Sequence, residues 1–434
     1  MLEIYIDAYR SISSSPFGIL RNPIYSRLRF DFSVFSMLTT FDLRATDDPQ
    51  DYLHRTVQTL VEGGIVAVPT ESTYGLIAHA LNPSGVAQLS EIWETQKNKL
   101  REHTGLSTLP DAETSDLPVI PSLLVSSVEA SQDYLTDPSP LGSRLARRCW
   151  PGPLQLEKKV TPNTGSLAEC LCGGALSLVQ DTSGRIAFRV IAQRVVDGIH
   201  RFLQGPLVFL DLVESDGKPI HSAEHARIYL QDSVPLLLDD GPTRYGGRPT
   251  RVNVEKNLYQ ILHEGVIEEA AMNQFVKPVV VLVCTGNTCR SPMAETLLRE
   301  QLNKKFGRED LVRVLSAGVA AGSGFGASSQ AVEVMGHRGL DLTGHSSQPL
   351  DDEIIKVADV ILTMTRGHRS AILAAWPELD GRVQTLRRDG GDISDPVGMP
   401  VEVYESCANQ IDGELIAWID ELDDDFFPSN AGER

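Results

Sequence analysis

A short stretch in the second half of the chain, VVVLVCTGNTCRSPMAE at 279–295, constrains the fold more than any other. Its first five residues are apolar and nearly all β-branched, which is typical of a strand buried on both faces. The residues from Ser291 onward have the composition of a helix, so the polar stretch at 284–290 is predicted to be a tight loop. Such a loop, at the carboxyl end of a buried strand, is where α/β folds bind their ligands.

Strand-like and helix-like segments alternate regularly around and after this stretch, from 276 to 423. Strands separated by helices of this length need crossover connections, and those connections favour a parallel sheet with helices on both faces. The sequence therefore predicts a doubly wound parallel sheet that carries the loop at one edge. The predicted strands are 278–284, 311–318, 358–364 and 382–386, and the predicted helices are 291–305, 328–338, 367–376 and 402–421.

The pattern Cys-x5-Arg-Ser in the loop is suited to binding a phosphate. In a tight loop of this length, successive backbone N–H groups point at one anion, and the positive end of the following helix adds to the attraction. The planar guanidinium of Arg290 binds two phosphate oxygens, and the thiolate of Cys284 is the predicted nucleophile. The predicted phosphate-binding residues are Thr285, Gly286, Asn287, Thr288, Cys289, Arg290 and Ser291.

A nucleophilic thiolate needs a partner that protonates the leaving group. The stretch GDISDPVGMP at 391–400 supplies two acids. Asp395 precedes a proline, which biases its backbone toward an extended or turn conformation and gives its side chain a defined direction. We therefore predict that Asp395 is the general acid and then, as a carboxylate, the base that activates water. Asp392 is the competing candidate.

The region 276–423 resembles the low-molecular-weight protein tyrosine phosphatase family. The matching motifs are VCTGNTCRSPMAE at 283–295, SAGV at 316–319, LTMT at 362–365 and DPVG at 395–398. The resemblance implies a protein phosphatase that forms a phosphocysteine without a metal or cofactor and acts on a phosphorylated protein. It implies that Cys284 is the nucleophile, Arg290 the phosphate binder and Asp395 the general acid. It adds Asn287, Ser291 and His345 as a supporting polar network.

The substrate is left open between phosphotyrosine and phosphoarginine. Tyrosine-directed members of the family typically have an apolar residue where this chain has Thr288, and often aromatic residues where it has Val397 and Gly398. The loop resembles the bacterial branch that removes phosphate from arginine, and Asp395 can pair with a guanidinium. Arsenate reduction needs further cysteines, and only Cys407 follows the loop. Cys289 either packs as a small apolar residue or forms a reversible disulfide with Cys284.

The first half resembles a different family, the YrdC-like threonylcarbamoyl-AMP synthases. The matching segments are GGIVAVPTESTYGL at 63–76, WPGPL at 150–154, IAFRV at 186–190 and DDGPTRYGGRPTRVNV at 239–254. The resemblance implies an α/β domain that binds ATP, bicarbonate and threonine for tRNA modification, which is the alternative function of this chain. The residues at matching nucleotide-binding positions are Thr70, Thr73, Tyr74 and Arg189.

Departures from that second family put its activity in doubt. The chain has Asp211, Glu214 and Asp216 in a segment where the family has a Ser-x-Asn sequence, and carboxylates next to a triphosphate oppose its binding. We expect a degenerate domain that has lost synthase activity. ATP is implied as a ligand only if the domain is active, and a nucleotide or RNA remains its candidate partner.

Length and composition fit two domains in a cytoplasmic protein. The chain has 434 residues and a net charge of −19, which argues against general binding to nucleic acids or anionic membranes. Six cysteines without a regular framework favour a reducing compartment. No apolar run is long enough for a membrane span, and no familiar histidine spacing indicates a metal. The predicted divisions are a tail at 1–45, domains at 46–270 and 276–423, and a frayed tail at 424–434.

Overall fold

The computed structural model describes residues 38–45, 50–105, 116–134, 139–160, 171–308, 310–422 and 426–430. The predicted N-terminal tail lies outside these residues except for its end. That end is ordered: strand β1 (Thr39–Asp42) pairs in parallel with the strand at Leu236–Asp239. The side chain of Phe41 packs against a buried apolar cluster, which explains why this part of the predicted tail joins the sheet.

The first half of the chain forms an eleven-stranded mixed sheet together with β1 and a short strand from the C-terminus. The strand order is β1-β8-β2-β3-β7-β4-β6-β5-β9-β10-β15. The other strands of this sheet are β2 (Val66–Pro69), β3 (Tyr74–His79), β4 (Ser122–Leu124), β5 (Leu154–Lys159), β6 (Arg185–Arg189), β7 (Leu207–Asp211), β8 (Leu236–Asp239), β9 (Thr250–Glu255), β10 (Leu258–His263) and β15 (Ser429–Asn430).

Helices cover this sheet on both faces, and each face has its own buried apolar cluster. Most of these helices begin at a residue whose side chain caps the first turn, as Asn82 does for the longest one by accepting from the Ser84 amide at 3.0 Å. The helices of this half are α1 (Gln50–Val61), α2 (Pro83–Thr104), α3 (Val128–Gln132), α4 (Pro140–Cys149), α5 (Gly173–Val179), α6 (Arg194–Phe202), α7 (Ala223–Leu230) and α8 (Glu269–Phe275).

The second half contains the predicted parallel sheet. Its order is β12-β11-β13-β14 and all three pairings are parallel. Strand β11 lies inside the sheet, and its six residues are all buried, as its continuous apolar sequence requires. The strands are β11 (Val279–Cys284), β12 (Arg313–Gly318), β13 (Val360–Thr363) and β14 (Val383–Thr385).

Alternate residues of β11 enter two different apolar clusters, one on each face, so the sheet is doubly wound as predicted. Val280 and Leu282 pack with the two longest helices of this half, and Val281 and Val283 pack with two shorter ones. The helices are α9 (Arg290–Phe306), α10 (Ser329–His337), α11 (Asp352–Val357), α12 (Arg366–Ala375) and α13 (Val401–Asp420). Helix α11 is the one element that the sequence pattern did not indicate.

One buried carboxylate joins the two halves at the amino ends of β11 and β13. Asp359 forms ion pairs with Arg144 at 3.0 Å, Arg147 at 2.6 Å and Arg148 at 2.7 Å, all from α4, and its Oδ2 also accepts from the Val279 amide at 2.8 Å. Three cations on one carboxylate neutralise it fully and hold the start of β11 against the first half.

Residues 426–430, within the predicted C-terminal tail, are ordered. Phe426 and Phe427 stack edge-on at 5.3 Å between ring centroids and pack against the core of the second half. The next residues, at 429–430, then add a short strand parallel to β10. The apolar area of two phenylalanines outweighs the acidic character of the preceding residues, so these five residues contact both halves.

Candidate active site

The loop between β11 and α9 lies at the carboxyl edge of the parallel sheet. Cys284 is the last residue of β11 and is 3% exposed, and Arg290 is the first residue of α9 and is 4% exposed. The five residues between them therefore turn through the space where the strand ends and the helix begins. The predicted nucleophile and the predicted phosphate-binding guanidinium lie at the two ends of one short turn.

Asn287 holds the shape of this loop. It has a φ of 54°, in the left-handed region that asparagine tolerates better than most residues. Its side-chain amide donates to Ser291 and Ser316 at 2.9 Å each, and its oxygen accepts from the Gln348 amide at 2.9 Å. Three hydrogen-bonding groups from separate segments thus meet at one side chain, so the loop is fixed before any ligand arrives.

Gly318, in the SAGV motif, is required because the loop passes very close to it. A Cβ at this position would lie 2.4 Å from the carbonyl oxygen of Thr285 and 3.0 Å from the amide nitrogen of Asn287. The residues after Gly318 pair with the loop, since the amides of Val319 and Ala320 donate to Cys284 and Thr285 at 3.0 Å. The end of β12 therefore supports the loop from one side.

The thiol of Cys284 has a hydroxyl partner. Its sulfur lies 3.0 Å from the Ser291 hydroxyl, which in turn is 3.3 Å from the carbonyl oxygen of Ala317. Because Asn287 also donates to this hydroxyl, Ser291 can direct its own proton toward the sulfur. Ser291 is therefore placed to donate a hydrogen bond to the sulfur of Cys284.

Asp395 lies at the opening of the loop, where the sequence predicts the general acid. Its Oδ2 is 2.5 Å from Nη2 of Arg290, and its side chain is 47% exposed. The competing candidate, Asp392, instead accepts from the Arg366 amide at 2.9 Å and from Arg366 Nε at 3.3 Å. The Arg366 backbone amide is the main reason that the pKa of Asp392 is lowered, so this acid stays ionised and faces another group.

The other predicted loop residues are placed as follows. Nε2 of His345 is 2.7 Å from the carbonyl oxygen of Asn287, so this histidine supports the loop from behind. The sulfur of Cys289 contacts the Tyr404 hydroxyl at 3.3 Å and the Ser328 hydroxyl at 3.4 Å. Thr288 is half-buried, and its hydroxyl is 3.7 Å from the same sulfur.

Three residues around the loop escaped the sequence analysis as participants. Ser316 and Gln348 bind Asn287, and His368 lies 2.9 Å from the Thr285 hydroxyl. The motif match at 316–319 marked the position of Ser316 but not its contact. One feature of the sequence could have indicated His368 as a site residue. It lies just after a strand that neighbours β11 in the parallel sheet.

The predicted nucleotide-binding residues of the first half also come together, but in a closed cluster. Arg189 is fully buried and donates to Asp211 at 3.1 Å and to Glu71 at 3.0 Å. Thr73 donates to the same Asp211, and Thr70 accepts from the Thr73 amide at 2.9 Å. The predicted site is therefore filled by ion pairs and hydrogen bonds among the chain's own residues.

This cluster does not fit a triphosphate. Both ends of the Arg189 guanidinium already bind carboxylates, and a phosphate placed there would face two buried negative charges. Tyr74, the fourth predicted residue, donates its hydroxyl proton to the carbonyl of Gly241 at 2.7 Å, and burial raises its pKa. The described residues thus offer ATP no free cation at this position.

The described ranges contain neither a cluster that could hold a metal ion nor a helix that could span a membrane. In these ranges no three or more histidine, cysteine or carboxylate side chains are grouped so as to hold a metal ion. Within the same ranges, no helix combines the length and the apolar content needed to cross a bilayer.

Comparison with known proteins assigns the second half. The family model for low molecular weight phosphotyrosine protein phosphatase matches residues 279–427. The probable low molecular weight protein-tyrosine-phosphatase EpsP of Ralstonia nicotianae is 37% identical over 141 residues, which are 92% of that protein and 32% of this chain. This chain belongs to the low molecular weight protein-tyrosine-phosphatase family. It is a cysteine-type protein phosphatase, as the motifs predicted.

Other relatives of this phosphatase carry a different name. The protein-arginine-phosphatase of Geobacillus stearothermophilus is 41% identical over 137 residues, 88% of that protein and 31% of this chain. The protein-arginine-phosphatase of Bacillus subtilis is 36% identical over 138 residues, 89% of that protein and 31% of this chain. A second family model, described as telomere recombination and named for Sua5, YciO and YrdC, matches residues 58–101 and 120–265. The YrdC-like resemblance of the first half is thus confirmed.

Proposed function

We propose that this phosphatase removes phosphate from arginine side chains of proteins, with Cys284 as nucleophile, Arg290 as phosphate binder and Asp395 as general acid. The observation that carries the proposal is the position of Asp395. Its carboxylate already binds one guanidinium, that of Arg290, at 2.5 Å and still has half of its surface open at the mouth of the loop. A substrate guanidino group that enters there meets a carboxyl group that can hydrogen-bond to its nitrogens and give a proton to the one that leaves.

In the first step the Cys284 thiolate attacks phosphorus in line with the leaving nitrogen. The phosphorus–sulfur bond forms, the phosphorus–nitrogen bond breaks, and protonated Asp395 gives its proton to the leaving guanidino nitrogen. Arg290 and the loop amides bind the equatorial oxygens as their charge develops. The products are a phosphocysteine and a free arginine side chain.

In the second step Asp395 acts as a general base. Asp395, now ionised, takes a proton from a water molecule, whose oxygen attacks the phosphocysteine. The phosphorus–sulfur bond breaks, inorganic phosphate leaves, and Cys284 returns as a thiolate beside the Ser291 hydroxyl at 3.0 Å. The hydroxyl makes sulfur a better leaving group because it stabilises the negative charge.

The walls of the opening favour a polar substrate over a phenyl ring. Thr288 places a hydroxyl, not an apolar side chain, in the loop. After the general acid the chain has the aliphatic residues Val397 and Met399, which are 63% and 50% exposed, and no aromatic ring. A flat tyrosine ring would therefore lack both an apolar wall and an aromatic partner at these positions. Two relatives named protein-arginine-phosphatase are in accord with this preference.

The test is phosphate release from two peptides that differ only in phosphoarginine or phosphotyrosine, measured with the full chain and with Thr288→Ile. We expect the wild type to prefer phosphoarginine. We expect Thr288→Ile to lower kcat/KM for phosphoarginine and raise it for phosphotyrosine, because the hydroxyl is replaced by an apolar wall. Thr296→Ile, one helical turn further from the loop, is the matched control. A wild-type preference for phosphotyrosine would contradict the proposal.

For the first half we propose that synthase activity has been lost, because the Arg189 cluster is closed by Glu71 and Asp211. The half would then act as a folded support for the phosphatase through the ion pairs of Asp359. The test is pyrophosphate release from ATP in the presence of threonine and bicarbonate, with Arg189→Ala for comparison. We expect no release above background. Release that disappears in Arg189→Ala would restore the synthase as the alternative function.

A further inference from the structure

His368, which has no role in the chemistry above, is hydrogen-bonded to a residue at the opening of the active-site loop. Nε2 of His368 lies 2.9 Å from the hydroxyl of Thr285, the residue directly after the nucleophile. Nδ1 of the same ring lies 3.0 Å from the hydroxyl of Thr365. The imidazole is buried, at 7% exposure, whereas Thr285 is exposed at the opening. Both ring nitrogens are therefore committed to orienting hydroxyl groups.

The fold places this ring on the same side of the loop as the general acid. Strand β13 neighbours β11, and Thr365 follows β13 and caps helix α12 by accepting from the His368 amide at 3.2 Å. The segment that leads to Asp395 is tied to the same place, since the Ile393 amide donates to the carbonyl of Met364 at 2.8 Å. Thr285 and Asp395 thus flank one side of the opening.

The ring is neutral at neutral pH. Burial, followed by the positive charge of Arg290, lowers the pKa of His368, while Asp395 and Asp392 act weakly in the opposite direction. A neutral imidazole has one N–H donor and one acceptor nitrogen. In the tautomer that carries its proton on Nδ1, Nδ1 donates to the Thr365 hydroxyl and Nε2 accepts the Thr285 proton. The oxygen lone pairs of Thr285 then face the opening.

We propose that Thr285, oriented by His368 as a hydrogen-bond acceptor, is a second specificity-determining residue that selects a leaving group with N–H donors. This inference rests on the proposed function and deepens it. Thr285 would contact the substrate, and His368 would act through Thr285 as a positioning residue. Thr288 lies elsewhere in the loop, near Cys289, so the two hydroxyls act from different positions.

The chemistry explains why such a pair discriminates. A guanidino leaving group carries N–H donors besides the nitrogen that is protonated, and each needs an acceptor when water is excluded. An aryl leaving group has no such donor and gains nothing from Thr285. One well-placed hydrogen bond changes relative kcat/KM by about 5-fold to 10-fold. The Thr285 oxygen can accept from the substrate only if its own proton points elsewhere. Nε2 of His368 accepts that proton and so directs it away from the substrate.

The experiment compares a phosphoarginine peptide with p-nitrophenyl phosphate, using the full chain. His368→Leu removes both ring nitrogens, and His368→Gln keeps a polar group at the same position. We expect His368→Leu to lower kcat/KM for phosphoarginine by about 5-fold to 10-fold more than for the aryl phosphate, mainly through KM. We expect His368→Gln to restore part of this difference. Melting temperatures of both variants separate this effect from a loss of folding.

A double-mutant cycle tests whether the histidine acts through the threonine. The effects of Thr285→Val and His368→Leu on the ratio of kcat/KM for the two substrates should not be additive. The double variant should have the same ratio as Thr285→Val alone. Equal losses on both substrates, or additive effects, would show that His368 only supports the fold and would overturn the inference. A wild type that hydrolyses the aryl phosphate but not phosphoarginine would overturn the proposed function and this inference together, which is a distinguishable result.

Discussion

Arg290 and Arg189 are both almost completely buried and both bind carboxylates, yet their surroundings differ in one decisive way. Arg290 binds one carboxylate, Asp395, which is half exposed, and the carbonyl of Ile393 at 3.2 Å. Arg189 binds two carboxylates, Glu71 and Asp211, whose side chains are 4% and 1% exposed. The first cation has a partner at the solvent, and the second does not.

The difference shows how a buried arginine serves binding in one half and stability in the other. A buried guanidinium needs compensation, and two buried carboxylates supply it permanently. One exposed carboxylate supplies it only until an anion arrives, because that carboxylate can turn to the leaving group. An arginine beside the end of a strand is therefore evidence for an anion site only when a bound anion can replace its carboxylate partner.

The largest expected effect comes from replacing the nucleophile in the second half. Cys284→Ser should lower kcat for phosphate release by about 10⁴-fold or more, since a serine hydroxyl at this position is not ionised. Cys149→Ser, in the first half, is the control, because burial raises the pKa of Cys149 to about 12 and the thiol is far from ionisation. A steady-state assay with p-nitrophenyl phosphate compares them. Equal losses in both variants would break the assignment of chemistry to the second half.

Arg290→Lys sharpens the contrast between the two arginines. A lysine keeps the charge but loses the planar fork that binds two phosphate oxygens, so we expect kcat/KM to fall by about 100-fold to 1,000-fold. Arg189→Lys, made in parallel, should lower the melting temperature and have little effect on kcat/KM. If instead Arg189→Lys impaired turnover as strongly as Arg290→Lys, the two sites would have to be coupled.

Asp211→Asn tests the closed cluster directly. The change leaves the buried Arg189 with Glu71 alone, so the free energy of unfolding should fall by about 3 kcal/mol, while turnover per folded molecule stays the same. Asp216→Asn removes a partly exposed carboxylate from the same segment and should change the free energy of unfolding much less than Asp211→Asn does. Urea unfolding of both variants is the measurement. A gain in ATP binding by Asp211→Asn would reveal a latent nucleotide site.

The smallest effect is a pH dependence of stability that belongs to the first half. Burial lowers the pKa of His200, in α6, to about 4, from an ordinary value of 6.5. The unfolded chain therefore binds a proton that the folded chain does not, and the free energy of unfolding should fall by about 2 kcal/mol as the pH drops from 6.5 to 4. His200→Leu should unfold with a shallower pH dependence over this range. An unchanged pH dependence would exclude His200 as its source.

The second half was largely predictable because its signals are local. The strand at 279–284 is apolar at every position, and the loop that follows is polar and bounded by a helix, so the site could be placed from neighbouring residues alone. Asp395 was also predictable, since Pro396 gives its backbone a direction. Helix α11 was missed because its six residues are too few to show a helical period.

The contacts that complete the site were not predictable in this way. His368 meets Thr285 across 83 residues of chain, and Gln348 meets Asn287 across 61. No periodicity links such positions, because they become neighbours only when parallel strands bring their carboxyl ends to one edge. The packing of Phe426 and Phe427 escaped notice for the same reason, since their partners lie elsewhere in the chain.

The sequence by itself determined the chemistry of the second half: a thiol, an anion-binding loop, an arginine and an acid in a fixed order. Those features depend on residue types and short spacings, which a linear chain displays. Only the tertiary structure decided that Arg189 is closed by two carboxylates and that His368 reaches the loop. Whether a charged side chain binds a ligand or its own chain depends on which partners the fold places within hydrogen-bond distance, and those partners come from separate strands.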